Sequence, residues 1–196
     1  MKTENIEKKF QKLYDIFTND DFLSMKALGG EIPFYITSYN PTQENEVFKE
    51  IDRIEDRLKR EGIKTTKIDL FRLSLEMLEK RKVLDKIIQK EKTLTKSQLF
   101  KTLTSVLDVS YIVKEIGKIA NNDSKIVFIT GIGQVYPFIR SHTILNNLQN
   151  QIKNKPTVMF FPGIFDGTSL SLFGELKDDN YYRAFNLDTI NLRRKV

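Results

Sequence analysis

The chain has 196 residues, 40% hydrophobic and 30% charged, enough to bury a core without disulfides or metal, and it reads as one domain over residues 1–196. Cysteine is absent, which excludes a disulfide framework and thiolate chemistry; no apolar run approaches the roughly 20 residues a membrane helix requires, and MKTENIEKKF lacks the apolar centre of a secretory signal, so a cytoplasmic address is expected. A net charge of +6 admits an acidic partner, but the 26 carboxylates are interspersed among 32 Lys and Arg residues, and Arg193-Arg194-Lys195 reads as a solvated tail.

Ile6, Phe10, Leu13 and Phe17 recur at the spacing of one helical face, and a short helix over 21–28 follows, stopped by Gly29-Gly30. Residues 32–37 are β-rich. Asn40-Pro41-Thr42-Gln43 reads as a helix start, with Asn40 as cap, Pro41 in the first position and Gln43 returning to the cap. Val47, Ile51, Ile54 and Leu58 mark the buried stripe of that helix, and Gly62 closes it. A second strand spans 64–69. The helix after it carries Leu73, Met77, Leu84 and Ile88. Thr95 and Gln98 offer a capping box for a further helix, bent near Asp108 and continuing through Ile112, Val113, Ile116 and Ile119 to Asn121-Asn122.

Strand 125–130, a helix from Pro137 to about Leu148 and strand 157–161 complete another strand-helix-strand unit. Alternation of strands with helices predicts an α/β fold with a mainly parallel sheet flanked by helices, P-loop-like or Rossmann-like but without a P-loop. The N-terminal helices precede that sheet. Short pieces at 169–173 and 181–185, separated by Asp178-Asp179-Asn180, predict a C-terminal hairpin or edge addition.

Ligand crevices of such sheets lie at the carboxyl ends of the strands, here 38–42, 131–136 and 162–167. The first has no glycine and no lysine, Pro41 lacks an amide donor, and Glu44 and Glu46 repel an anion, so it cannot act as a phosphate cradle. Gly131-Ile132-Gly133 lacks the third glycine of a dinucleotide loop, Tyr136 standing in its place; a tight turn or close backbone approach is favoured. His142 follows Ser141 directly, but helical neighbours point about 100° apart and form no nucleophile-base pair; a packed or hydrogen-bonded histidine is expected. Asp166, Asp178 and Asp179 sit in ordinary turn settings, so no metal or cofactor is expected. Gly131, Gly133, Tyr136 and Asp166 remain possible ligand contacts. Arg140 can grip a carboxylate or phosphate or form a structural ion pair. Strand alternation puts Tyr182 and Phe185 in the core, with Phe138 also packed, and Tyr181 and Arg183 on the opposite face. Tyr and Arg are favoured in protein interfaces, which makes Arg140, Tyr181 and Arg183 candidate partner contacts.

The order and wording of GIGQVYPFIRSHTILNNLQ and FFPGIFDGTSLSLFGELKDDNYYRAF closely resemble the BrxB family of bacterial BREX phage-defence systems. The resemblance runs from about Ile32 onward and is densest between 131 and 185. It implies a component of a multi-protein system that excludes bacteriophage, with the PglZ phosphatase-like protein, the BrxC ATPase or the PglX methyltransferase as partners, and nucleic acid reached through the complex. It brings no catalytic residues. A non-enzymatic assembly or adaptor component is therefore expected, bound to no membrane. The alternatives are a divergent nucleotide-binding or hydrolytic protein using Gly131, Gly133, Arg140 and Asp166, and a DNA-binding accessory suggested only by the net charge.

Overall fold

The computed structural model describes residues 3–26, 33–178 and 182–190. Helix α1 (Ile6–Phe17) starts where the Asn5 side chain accepts the Lys8 amide at 2.8 Å, and buries Ile6, Phe10, Leu13, Ile16 and Phe17. The four-residue α2 (Asp20–Leu23) follows at once, capped by Asn19. Ile32 and the Gly29-Gly30 stop lie outside the described residues, and β1 runs Phe34–Tyr39. A 3-10 turn (Pro41–Gln43) then leads into α3 (Glu44–Arg60), with Asn40 as cap and Pro41 in first place. Gln43 does not return to Asn40. Its side-chain amide instead brackets the backbone of Glu4, accepting that amide at 3.0 Å and donating to that carbonyl at 2.9 Å. Val47, Ile51, Ile54 and Leu58 form the buried stripe of α3, each at most 1% exposed. Each such side chain contributes about 1.5–3 kcal/mol by burial.

After β2 (Thr65–Asp69) the single predicted helix divides into α4 (Leu70–Lys80) and α5 (Leu84–Glu91). Lys82 takes a positive φ of 56° between them, which ends α4 in a left-handed turn and leaves Ile88 56% exposed instead of buried. Helix α6 (Lys96–Val106) opens with the expected Thr95–Gln98 capping box, and α7 (Val109–Ala120) restarts on Asp108, whose side chain accepts the Ser110 amide. Then come β3 (Ile126–Thr130), α8 (Ser141–Leu148) and β4 (Thr157–Phe165), followed by the short strands β5 (Leu170–Leu172), β6 (Leu176–Asp178) and β7 (Phe185–Asn186).

The strand order is β2-β3-β4-β1-β7, all neighbours parallel. Strand β4 outruns this layer. Its last residues, 163–165, turn to pair antiparallel with β5, which pairs with β6. The expected loop at 162–167 is thus mostly strand. Gly163 makes the change of partner possible, because a Cβ there would lie 2.2 Å from the Ser171 carbonyl oxygen.

Alternation along the strands feeds two cores. Phe34, Ile36, Val127, Ile129, Met159 and Phe161 join α4, α7 and α8 on one face. Tyr35, Phe128, Val158 and Phe160 join α1 and α3 on the other. The second core is aromatic: Phe17 lies 5.2 Å from Phe128 and Phe22 lies 4.9 Å from Tyr35. Helices α5 and α6 bury no residue.

The C-terminal segment departs most from expectation. Asp178 closes β6 rather than a turn, 182–184 form no strand, and only Phe185 and Asn186 pair, parallel to β1. Tyr182 is buried as expected, but it belongs to the α4–α8 core, whereas the partly buried Phe185 packs 5.8 Å from Tyr35 on the other face. Beyond β7, Asp188 takes the place of a neighbouring strand: its carboxylate accepts the Ser38 amide at 2.9 Å and the Thr37 hydroxyl at 2.8 Å, and meets Lys9 of α1 at 2.9 Å.

Candidate functional site

The loop after β1 is closed by its own side chains. Asn40, 6% exposed, accepts the Thr42 amide at 3.0 Å and its hydroxyl at 2.9 Å, while the Tyr39 hydroxyl donates to Glu44 at 3.0 Å. Burial, then the Glu44 carboxylate, raise the Tyr39 phenol far above its ordinary range. A phosphate approaching here meets an occupied amide and a carboxylate, so these residues do not fit a nucleotide.

Both glycines after β3 serve close packing. Gly131 adopts a φ of 75°, and a Cβ there would lie 2.8 Å from Asp69 Oδ1 and 3.1 Å from the Phe71 amide. Asp69 is the cap of α4, accepting the Arg72 amide at 2.9 Å, so Gly131 lets two strand ends lie side by side. At Gly133 a Cβ would lie 2.9 Å from the Phe173 ring and 3.0 Å from Pro162. Phe173 is the tip of the β5–β6 hairpin and meets the Tyr136 ring edge-on at 6.4 Å. Pro137 does not begin a helix. The Tyr136–Pro137 bond is cis, the chain folds in turns up to Arg140, and α8 starts at Ser141.

This fold-back and the hairpin enclose a cleft of about 540 Å³, lined by the apolar Phe161, Leu170, Leu172 and Leu176 and by the polar side chains of Tyr136, Arg140, Ser141, Glu175, Lys177 and Asp178. Behind Asp178, one carboxylate oxygen takes two contacts: His142 Nδ1 at 2.8 Å and the donating Tyr182 hydroxyl at 2.5 Å. Tyr182 is 1% exposed, and burial, reinforced by Asp178, pushes its phenol well above the ordinary range, a Ser141 hydrogen bond opposing. His142 is therefore the hydrogen-bonded histidine expected. Its partner Asp178 is 36 residues away, and the sequence signal was hidden because LKD reads as a turn entry rather than a strand.

The structure brings Tyr136 and Arg140 into the cleft wall. Arg140 is exposed and forms no ion pair among the described residues. Arg183 is exposed too, but its described contact is through the backbone, its carbonyl accepting from Gln149 at 3.3 Å, and it does not line the cleft. Tyr181 lies outside the described residues. Asp166 is spent on its own turn, accepting from the amides and hydroxyls of Thr168 and Ser169 at 2.7–2.8 Å, and these bonds hold its carboxyl far below the usual range. Among the described residues no group of three acidic, His or Cys side chains could hold a metal, and no helix is long and apolar enough to cross a membrane. The cleft offers a guanidinium, an ammonium and a carboxylate on a partly apolar wall. That set suits recognition of a polar surface; its imidazole is already held by a carboxylate, and Ser141 is bonded to a phenol.

Large apolar side chains remain uncovered around the hairpin. Phe173 and Leu176 are 39% and 41% exposed, whereas Ile164 of β4, 45% exposed, pairs with Ser171 and so faces the other side of the small sheet from Leu176, which pairs with Leu172.

The family model described as BREX protein BrxB matches residues 66–187. The chain is 42% identical over 191 residues to a BREX protein BrxB of Bacillus cereus (strain H3081.97), covering 93% of this chain and 97% of that one. It is 29% identical over 185 residues to a BREX protein BrxB of Escherichia coli O9:H4 (strain HS), covering 93% and 91%. No solved structure matches.

Proposed function

The chain belongs to the BrxB family of BREX proteins, and on that premise we propose that it is a non-catalytic assembly subunit that holds other BREX proteins of the PglZ, BrxC or PglX kind. The observation that carries the reading is the juxtaposition of an exposed Arg140, which forms no ion pair among the described residues, with Leu176 of the hairpin in the cleft wall and the exposed Phe173 at the hairpin tip. Arginine beside aromatic and aliphatic surface is the composition of protein interfaces, where a bidentate guanidinium fixes orientation and apolar area supplies affinity.

A nucleotide hydrolase receives little support, since the loop after β1 is filled by Asn40 and Glu44 and the one after β3 by Phe173 packing on Gly133. The test is affinity capture of the tagged protein together with the other proteins of its defence system, with a parallel ATP and GTP turnover assay. Arg140→Ala and Leu176→Ala should each weaken capture of one partner while leaving the melting curve within the range of surface substitutions, about 1 kcal/mol or less. Turnover above background that disappears in Arg140→Ala would defeat the proposal. So would normal capture of every partner by the folded double variant.

A further inference from the structure

The net charge of the chain is not spread over it. Residues 80–101 hold eight basic side chains (Lys80, Arg81, Lys82, Lys86, Lys90, Lys92, Lys96 and Lys101) against Asp85 and Glu91, leaving 24 of the 32 cations and 24 of the 26 anions for the rest. The whole surplus of +6 thus lies on the end of α4, on α5 and on the first turns of α6. All eight are exposed, and none forms an ion pair among the described residues, although Lys9, Lys64, Lys67 and Lys118 elsewhere do. Lys80 and Lys90 complement the carbonyl ends of their helices, and Arg81 donates to the Val106 carbonyl that ends α6 at 2.6 Å; the side chains of the other five lysines form no hydrogen bond among the described residues. Glu79 is the next acidic neighbour along the chain.

We infer that this arm, α5 with the start of α6, binds the phosphate backbone of duplex DNA without reading its sequence. Seven of the eight cations are lysines, point charges that follow a phosphate ladder without bidentate geometry. Nearby aromatic rings are already engaged: Phe100 packs on Phe138 at 5.8 Å and Arg81 lies over Tyr111 at 5.0 Å. Phe100 is the one aromatic residue in the sequence from 80 to 101, too few rings for the stacking ladder that a single strand uses, which favours a duplex. The duplex supplies about one negative charge per 1.7 Å of axis, matching a segment with a surplus of six cations better than a mixed protein surface does, even with Glu115 near Lys80 and Asp108 near Arg81. The arm is a different segment from the hairpin proposed above for protein partners, although Phe100 packs on the fold-back that carries Arg140, and its test is separate.

The test is binding of the full chain to a fluorescein-labelled random-sequence duplex of about 25 base pairs at several salt concentrations. Replacing Lys86, Lys90, Lys96 and Lys101 with Gln should weaken binding at least ~10-fold near 0.1 M salt and flatten the slope of log K against log salt by about 3. A control with Lys8, Lys49, Lys59 and Lys114 changed to Gln should keep most of the affinity. Equal loss in both variants refutes the inference, as does a wild-type chain that does not bind. Displacement of the duplex by polyglutamate at equal charge concentration also overturns it, in favour of an acidic protein. Circular dichroism melts of both variants distinguish lost contact from lost fold.

Discussion

The Tyr182–Asp178 bond sets the position of the β6 strand end, and its strength can be worked out from its surroundings. Tyr182→Phe deletes one hydroxyl that donates to a carboxylate at 2.5 Å from a residue 1% exposed. Hydrogen bonds to charged groups contribute about 1.5–3 kcal/mol; the Asp178 side chain is 23% exposed, so water takes over part of the acceptor and the lower end, ~1.5 kcal/mol, applies. Asp178→Ala should cost more, because it leaves the buried phenol without its carboxylate and also releases His142. A double-mutant cycle in urea should give a coupling of about 1–2 kcal/mol between positions 178 and 182. The sign of the pH dependence follows from the raised phenol. Its folded value lies above the ordinary 10.0, so the bond contributes in full below pH 10.0 and is lost progressively above it. The stability gap between wild type and Tyr182→Phe should therefore be flat from pH 7 to 9 and shrink above about 10. A coupling under about 0.5 kcal/mol, or a gap that widens at alkaline pH, refutes the assignment.

Other residues give equally direct tests. Asp188→Ala leaves the Ser38 amide without its acceptor and removes one of the two carboxylates on Lys9, Glu4 remaining at 3.0 Å, and should destabilise by about 1–3 kcal/mol in denaturant titration, with Asp188→Asn recovering part of the loss. Gly133→Val drives a side chain into Phe173 and Pro162 and should cost about 1–3 kcal/mol while weakening partner capture, because it displaces the hairpin tip. Lys155→Met should destabilise by about 1–3 kcal/mol, since the buried ammonium donates to the Ala120 and Asn122 carbonyls at 3.0 and 2.8 Å at the end of α7.

Local periodicity carried most of the architecture. The α1 and α3 stripes, the Thr95–Gln98 box and the four central strands are short-range patterns, and a sheet buried on both faces leaves them little freedom. What escaped depends on distance or on a single backbone choice. Leu73 to Ile88 keeps a helical apolar period across Lys82, and nothing in that period announces the left-handed turn that divides it. Pro137 is equally compatible with a first helical position and with a cis turn. Asp188 and Lys9 meet across almost the whole chain. In the candidate site the two glycines were legible as loop residues, whereas Arg140 was read inside a helix from Pro137 that starts only at Ser141, and Asp178 acquired its role only when β6 formed beside α8. The basic arm was hidden by averaging: summed over all residues the charges look mixed, and only a window of about one helical hairpin separates them.

Strand β4 belongs to two ladders along one unbroken backbone, parallel between β3 and β1 and then antiparallel to β5. The hairpin is thus an outgrowth of the most central strand rather than a flap hung on a loop. A partner that docks on it meets a surface whose shape is already fixed, and little chain freedom is surrendered at the moment of contact. Load applied there passes straight into the middle of the sheet.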